Sequence, residues 1–193
     1  MRSYCIILII TLFTISTYSA GQINSSEGFI NQIQKDASGN LLGKCSRVTL
    51  LQAPFVDWFK PNYDSYPVDS FTCNFIRPLL AGKTITVFLG TWCGDSKREV
   101  PRILKILDCL NFPENDLTLI MVGNQDSLTK KSPQHEEIGR NIVRVPTIII
   151  SQNGTEIGRI IEFPKISLEK DMLSILRKEN YQPNHHTLKA DTR

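Results

Sequence analysis

The sequence has few of the residues that build metal sites, and no apolar stretch long enough to cross a membrane comfortably. It contains three histidines and five cysteines in 193 residues, and the cysteines lack the paired spacing that is typical of zinc sites. We therefore expect no metal centre and no cofactor. Acidic and basic residues are interleaved and the net charge is only +3, so the chain lacks the basic stripe that nucleic-acid binding requires.

The longest apolar run lies near the N-terminus, from Cys5 to Ile15. It is shorter than the about 20 apolar residues that a membrane-spanning helix needs, although a membrane anchor is the alternative interpretation. Arg2 precedes the run, and small or polar residues follow it as far as Ala20, which is typical of a secretory signal peptide. We expect residues 1–20 to be this signal and the protein to be exported, periplasmic or extracellular, without a stable membrane anchor.

The rest of the chain fits one domain with extensions. Residues 21–65 form an N-terminal extension, in which the mostly polar residues 21–45 are predicted to be a linker or loosely packed arm. Residues 46–65 carry apolar side chains that need partners, so we expect them to pack on the domain. The domain itself is predicted to span residues 66–180. Residues 181–193 have few large apolar side chains and are predicted to be a flexible tail.

Within residues 66–180, buried strands alternate with helices. The predicted strands are β-branched and apolar and span Thr84–Leu89, Leu117–Val122, Thr147–Ser151 and Thr155–Ile161. Helices are predicted at Val68–Leu80, from the loop after Cys93 to about Leu110, and at 166–178, with a short helix or turn at 133–141. Strands joined through a helix should be parallel, and the Asn153-Gly154 turn should close an antiparallel hairpin. This order predicts an α/β fold with a mixed central sheet flanked by helices on both faces.

Cys93 lies where the first of these strands ends and a helix begins. Free backbone N–H groups and the positive end of the helix dipole favour a thiolate at such a position. Lys97 and Arg98 add positive charge in the next turn, whereas Asp95 opposes it. A loop position is a poor one for a buried structural cysteine, which is the alternative, so we predict that Cys93 is a reactive thiol.

The segment Trp92-Cys93-Gly94-Asp95-Ser96 resembles the W-C-G-x-C motif of the thioredoxin superfamily, with serine in place of the second cysteine. Pro101 falls where the first active-site helix of that family carries its kinking proline. Val145-Pro146-Thr147 is similar to the cis-proline loop that faces the active cysteine. Lys97-Arg98-Glu99-Val100-Pro101 is similar to the R-x-E-x-P of exported TlpA-like thioredoxins. The resemblance covers residues 66–180 and implies a thioredoxin-like fold.

The resemblance also implies roles for single residues. Cys93 would be the catalytic nucleophile, and Ser96 could donate a hydrogen bond to its thiolate. The candidate substrate-binding residues flank the thiol in two loops and are Trp92, Gly94, Asp95, Val145 and Pro146. Pro101 and Glu99 are assigned structural roles. Trp92 could equally belong to the core, and Glu99 could equally be a solvated helix residue.

The serine at position 96 removes the second of the two steps of the usual thioredoxin reaction. Dithiol thioredoxins attack a disulfide with the first cysteine and resolve the mixed disulfide with the second, a step that Ser96 cannot perform. Many thioredoxins place a buried acid six residues before the first cysteine, and that position is Val87 here. Cys109 is about 24 Å from Cys93 along the same helix, which is beyond the reach of a disulfide.

The remaining cysteines leave several pairings open. Cys45 and Cys73 could form a structural disulfide with each other, or either could approach Cys93. Spacing alone does not choose between these alternatives.

Two classes of function follow from a single reactive thiol. The first is an exported monothiol thiol–disulfide oxidoreductase or isomerase, which would act through a mixed disulfide at Cys93 on protein disulfides or thiols, or on a low-molecular-weight thiol. The second is a non-enzymatic thioredoxin-fold module that binds partner proteins, so the sequence leaves open whether the chain is an enzyme. A peroxidase of the peroxiredoxin type fits poorly, because the Pro-x-x-x-Thr-x-x-Cys context is absent before Cys93.

Overall fold

The computed structural model describes residues 34–125 and 128–189. The predicted signal peptide lies outside these residues. The strands are β1 (Gln34–Lys35), β2 (Leu41–Cys45), β3 (Lys83–Leu89), β4 (Leu117–Met121), β5 (Thr147–Gln152) and β6 (Thr155–Ile161). The α-helices are α1 (Arg47–Leu50), α2 (Val56–Ser65), α3 (Ser70–Ile76), α4 (Gly94–Cys109) and α5 (Leu168–Leu176). Short 3₁₀ turns follow at Arg77–Leu79 and Glu114–Asp116.

The strands form one mixed six-stranded sheet in the order β1-β2-β4-β3-β5-β6. The β3–β4 pair is parallel, and the other pairs are antiparallel. The four strands predicted from the sequence are therefore confirmed to within one residue at each end. The parallel pair across α4 and the β5–β6 hairpin follow the predicted connections. The chain has an α/β fold with a mixed sheet.

Residues 34–35 and 41–45 of the segment predicted to be a linker belong to this sheet. β2 pairs with β4, so that Gly43 lies opposite Met121 and Cys45 lies opposite Leu119. Leu41, Leu42 and Cys45 are buried. The prediction of a loose arm is wrong for residues 41–45, because this five-residue strand buries its leucines even though the surrounding sequence is polar.

Helices cover one face of the sheet. β3 sends Val87 and Leu89 into the main core, together with the buried residues of α2, α3, α4 and α5. Its intervening residue Phe88 points to the opposite face. There it joins a smaller cluster whose members are Ile120, Val122, Ile142, Val145 and Ile149.

The prediction of helices on both faces is wrong for the described residues. Among the described residues of the segment 123–146, Ile142 and Val145 pack on that second face, and these residues form turns and no α-helix. The short helix or turn predicted at 133–141 is a run of turns.

The last described residues contact the domain. The hydroxyl of Tyr181 donates to Asp171 at 2.8 Å, and the ring of His185 lies 2.7 Å from the Glu162 carboxylate. The side-chain amide of Asn184 donates to the carbonyl of Phe163 at 2.9 Å. Residues 181–188 therefore pack against the domain. They extend it beyond the boundary predicted at 180 and do not form a free tail. Within the described part of the chain, no helix has the length and apolar character needed to span a bilayer.

We predict that Leu41→Ala lowers the free energy of unfolding by about 2–5 kcal/mol, because the lost methyl groups leave a cavity in the core. Urea denaturation followed by circular dichroism measures this. Lys44→Ala is the matched control on the exposed side of the same strand, and we expect a change within about 0.5 kcal/mol. Equal and small effects of the two substitutions would show that residues 41–45 are the loose arm that their sequence suggested.

Candidate thiol site

Cys93 is the N-cap residue of α4, and its thiol is partly exposed. Its backbone N–H donates to Gly90 at 3.0 Å, and its carbonyl accepts the N–H of Lys97 at 3.0 Å, which starts the helix. The side chain makes no capping hydrogen bond, and the cysteine stands directly before the first helical turn, whose N–H groups have no partner within the helix. This is the strand-to-helix position that the sequence predicts for a reactive thiol.

The loop before β5 faces this thiol. The Cys93 Sγ–H donates to the carbonyl oxygen of Val145 at 3.2 Å. The Val145–Pro146 peptide bond is cis, as expected from the resemblance, and both residues are buried. The two loops meet because β3 pairs with β5, with Phe88 opposite Thr147.

The indole of Trp92 is held in place from two sides. Its Nε1 donates to the carbonyl of Val122 at 2.9 Å, and the ring packs against the smaller apolar cluster beside Cys93. Gly90 lies so close that a Cβ there would come within 2.5 Å of the indole. Trp92 is thus partly buried and also borders the thiol, so it combines the two roles that the sequence left as alternatives.

Ser96 is placed differently from the expectation. Its side chain is fully buried, and its hydroxyl oxygen accepts the backbone N–H of Gly90 at 3.2 Å. No hydrogen bond joins it to Cys93 in the part of the chain that the structure describes. Gly90 follows the last residue of β3, and its N–H needs an acceptor inside the protein. The expected contact between Ser96 and the thiol is therefore wrong in this structure, and Ser96 supports the loop.

Two arginines that follow Cys93 are paired with nearby carboxylates. Arg98 contacts Asp95 and Glu99, each at 2.6 Å, and Arg102 lies 3.2 Å from Glu99. The hydrogen bonds to Glu99 and Asp95 raise the pKa of Arg98. The side chain of Glu99 is only 4% exposed, which excludes the solvated alternative and agrees with a structural role. Because Arg98 is engaged by two carboxylates, less of its charge acts on the thiol than the sequence suggests.

One glycine, one proline and one valine remain among the positions that the sequence singles out. Gly94 is exposed, and nothing lies within 4 Å of the position of a Cβ there, so the approach to the thiol is open on this side. Pro101 lies inside α4 and is buried. Val87 stands where the resemblance implies a buried acid, and it is an apolar side chain fully buried in the main core.

Sequence reasoning missed Thr91, which connects the site to the N-terminal strand. Its hydroxyl oxygen accepts the backbone N–H of Leu41 at 3.1 Å, and the residue is only 3% exposed. The N-terminal strand β2 therefore helps to fix the loop that carries Trp92 and Cys93. The sequence shows only a threonine directly before the motif, which does not by itself indicate this contact.

The other cysteines do not reach Cys93. Cys109 is at the opposite end of α4, as expected. Cys45 is buried, and burial raises its pKa to about 12. Cys73 is fully buried in the core, where its thiol contacts that of Cys109. The fold therefore does not bring Cys45 and Cys73 together.

No group of three or more His, Cys, Asp or Glu side chains is arranged to hold a metal ion among residues 34–125 and 128–189.

No family model matches the chain, and no curated protein matches it. One solved structure that resembles it is the 1.5 Å crystal structure of a protein of unknown function from Pseudomonas aeruginosa. The two are 12% identical with a TM-score of 0.46, over 65% of this chain and 86% of the other.

We predict that Cys93 is the fastest cysteine to be alkylated in the reduced, folded protein. Cys109, also partly exposed, is the internal control, because it ends the helix that Cys93 begins. Opposite ends of the helix dipole should favour Cys93 over Cys109 by about tenfold in rate at neutral pH. Cys45 and Cys73 should stay unmodified until the protein unfolds. Iodoacetamide labelling followed by peptide mass mapping measures all four rates, and equal rates at Cys93 and Cys109 would contradict an activated thiol.

We also predict that Gly90→Ala lowers the free energy of unfolding by about 1–3 kcal/mol, because the new methyl group displaces the indole. The emission of Trp92 should change at the same time, measured in a Trp58→Phe background to remove the other tryptophan. Gly94→Ala adds the same methyl group in open space and should leave both stability and emission nearly unchanged. If the two alanines behave alike, Gly90 does not hold Trp92.

Proposed function

We propose that the chain is an exported monothiol thiol–disulfide oxidoreductase or isomerase with a thioredoxin-like fold. The observation that carries the proposal is the position of the Cys93 thiol at the start of α4, 3.2 Å from the carbonyl oxygen of Val145. A partly exposed thiol next to a helix N-terminus can react with a disulfide, and the backbone carbonyl beside it can bind the peptide that carries the disulfide.

The order of elements supports the thioredoxin-like assignment. Cys93 follows β3 and precedes α4, and the parallel strand β4 comes next. The β5–β6 hairpin and α5 then close the chain, with the Val145-Pro146 loop at the start of β5. This β-α-β-β-β-α order, with a cysteine at the first strand-to-helix junction, suits the resemblance found in residues 66–180.

The proposed reaction begins with the Cys93 thiolate. It attacks one sulfur of a protein disulfide, the substrate S–S bond breaks as the new bond forms, and the second substrate sulfur leaves as a thiolate that takes up a proton. Because a thiolate cannot donate a hydrogen bond, the sulfur gives up its contact with Val145 in this step. The carbonyl is then free to accept an N–H from an extended substrate segment.

Release of Cys93 needs a thiol from outside the motif. A second thiol of the substrate can attack the substrate sulfur of the mixed disulfide, which leaves a rearranged disulfide and no net change in oxidation. A low-molecular-weight thiol can do the same, and a second such thiol then completes a two-electron reduction. Ser96 takes part in neither route, since its hydroxyl is buried against Gly90. The first route describes an isomerase and the second a reductase.

The competing proposal is a thioredoxin-fold module that binds partner proteins without turnover. The pairing of Arg98 with Asp95 and Glu99 favours it, because this pairing withdraws positive charge from the thiol. Export, to the periplasm or the cell exterior, rests in both proposals on the apolar segment within residues 1–20.

We predict that oxidised glutathione forms a long-lived mixed disulfide with Cys93. Intact-mass spectrometry with peptide mapping should locate the adduct on Cys93 and find none there in Cys93→Ser. The Ser96→Cys variant supplies an internal resolving thiol, so the adduct should decay more than about tenfold faster. Circular dichroism checks that this variant is folded.

Turnover separates the two proposals. With excess thiol, the wild-type protein should accelerate the recovery of scrambled ribonuclease, and Cys93→Ser should not. Equal rates for the two proteins would reject the enzyme and leave the binding module. An adduct that forms only after unfolding would reject both uses of the thiol.

A further inference from the structure

Two cysteines outside the candidate site lie against each other. Cys73 is on α3, fully buried, and Cys109 is the last residue of α4 and only partly exposed. Both are free thiols in this structure, and both pack in the main core. Arg77 reinforces the contact, since its guanidinium donates to the carbonyl of Cys109 at 3.0 Å. The end of α3 is therefore held on the end of α4 at the place where the two sulfurs meet.

We propose that Cys73 and Cys109 are an oxidisable pair that forms an intramolecular disulfide, linking α3 to the C-terminal end of α4. The bond encloses the stretch of chain that contains β3, Cys93 and all of α4. It would act as a structural cross-link and not as part of the reaction at Cys93, because Cys93 lies at the far end of α4.

The oxidant is an external disulfide, either of a protein or of a low-molecular-weight thiol. Cys109 is the accessible partner, so its thiolate attacks the external disulfide and one external thiolate leaves. The Cys73 sulfur then attacks the Cys109 sulfur and displaces the second external thiolate. The protein loses two electrons and two protons, and the external disulfide becomes two thiols.

The surroundings of Cys73 determine when this disulfide can form and how slowly it is reduced. Burial raises the pKa of Cys73 to about 12, and Cys109, Glu169 and Asp69 add to the rise. The second step is therefore slow in the folded protein and should occur before α3 packs. Once closed, the bond has one buried sulfur that is also a poor leaving group, so external thiols reduce it slowly.

Peptide mapping without reduction tests the proposal directly. The wild-type protein is unfolded, reduced, refolded with a mixture of reduced and oxidised glutathione, and quenched with an alkylating agent. We expect a cross-linked peptide pair that contains Cys73 and Cys109 and is lighter than the two reduced peptides by two hydrogen atoms. Alkylation of both cysteines, or a cross-link from Cys73 to Cys45 or Cys93, would overturn the proposal.

Thermal unfolding provides a second measurement. The oxidised wild-type protein should melt about 5–10 °C above its reduced form, because the cross-link restricts the unfolded chain. Cys109→Ser fits a partly exposed position and should abolish this difference, whereas the matched control Cys93→Ser should keep it. A difference that survives Cys109→Ser would exclude this pair as its source. The mixed disulfide at Cys93 is assayed separately, so the failure of either proposal leaves the other standing.

Discussion

The antiparallel pairing of β3 with β5 is the constraint on which the thiol site depends. It places Phe88 opposite Thr147, so the end of one strand and the start of the other lie at the same edge of the sheet. The loop that carries Cys93 and the loop that carries Val145 then meet there. Ser96 and Thr91 accept backbone N–H groups of Gly90 and Leu41, and these contacts keep the first loop in position.

The sequence predicts most of this framework because its strands are strongly β-branched. The run Thr147–Gln152 is identifiable as a buried strand without any structure, and so is the strand that ends before Cys93. The strand Leu41–Cys45 could not be recognised in the same way. It is short, it contains Gly43 and Lys44, and its burial depends on pairing with Leu119 and Met121, which lie far away in the sequence.

The details of the site depend on contacts that no local pattern encodes. A serine after W-C-G-x suggests a hydrogen-bond partner for the thiol. Its hydroxyl instead accepts the backbone N–H of Gly90. The orientation of α3 decides that Cys73 meets Cys109, and helical spacing alone leaves that orientation open. Lys97 and Arg98 look equivalent in the sequence, whereas the structure engages Arg98 with Asp95 and Glu99.

The unequal cover of the two sheet faces has a consequence for motion. Helices protect the main core, while turns within 123–146 cover the smaller cluster that includes Val145 and contacts Trp92 and Cys93. Segments with fewer buried contacts open at a lower free energy than packed helices. We therefore expect the segment that carries Val145 to open more readily than α4 unfolds, and such an opening would widen the cleft beside the thiol for a bulky partner.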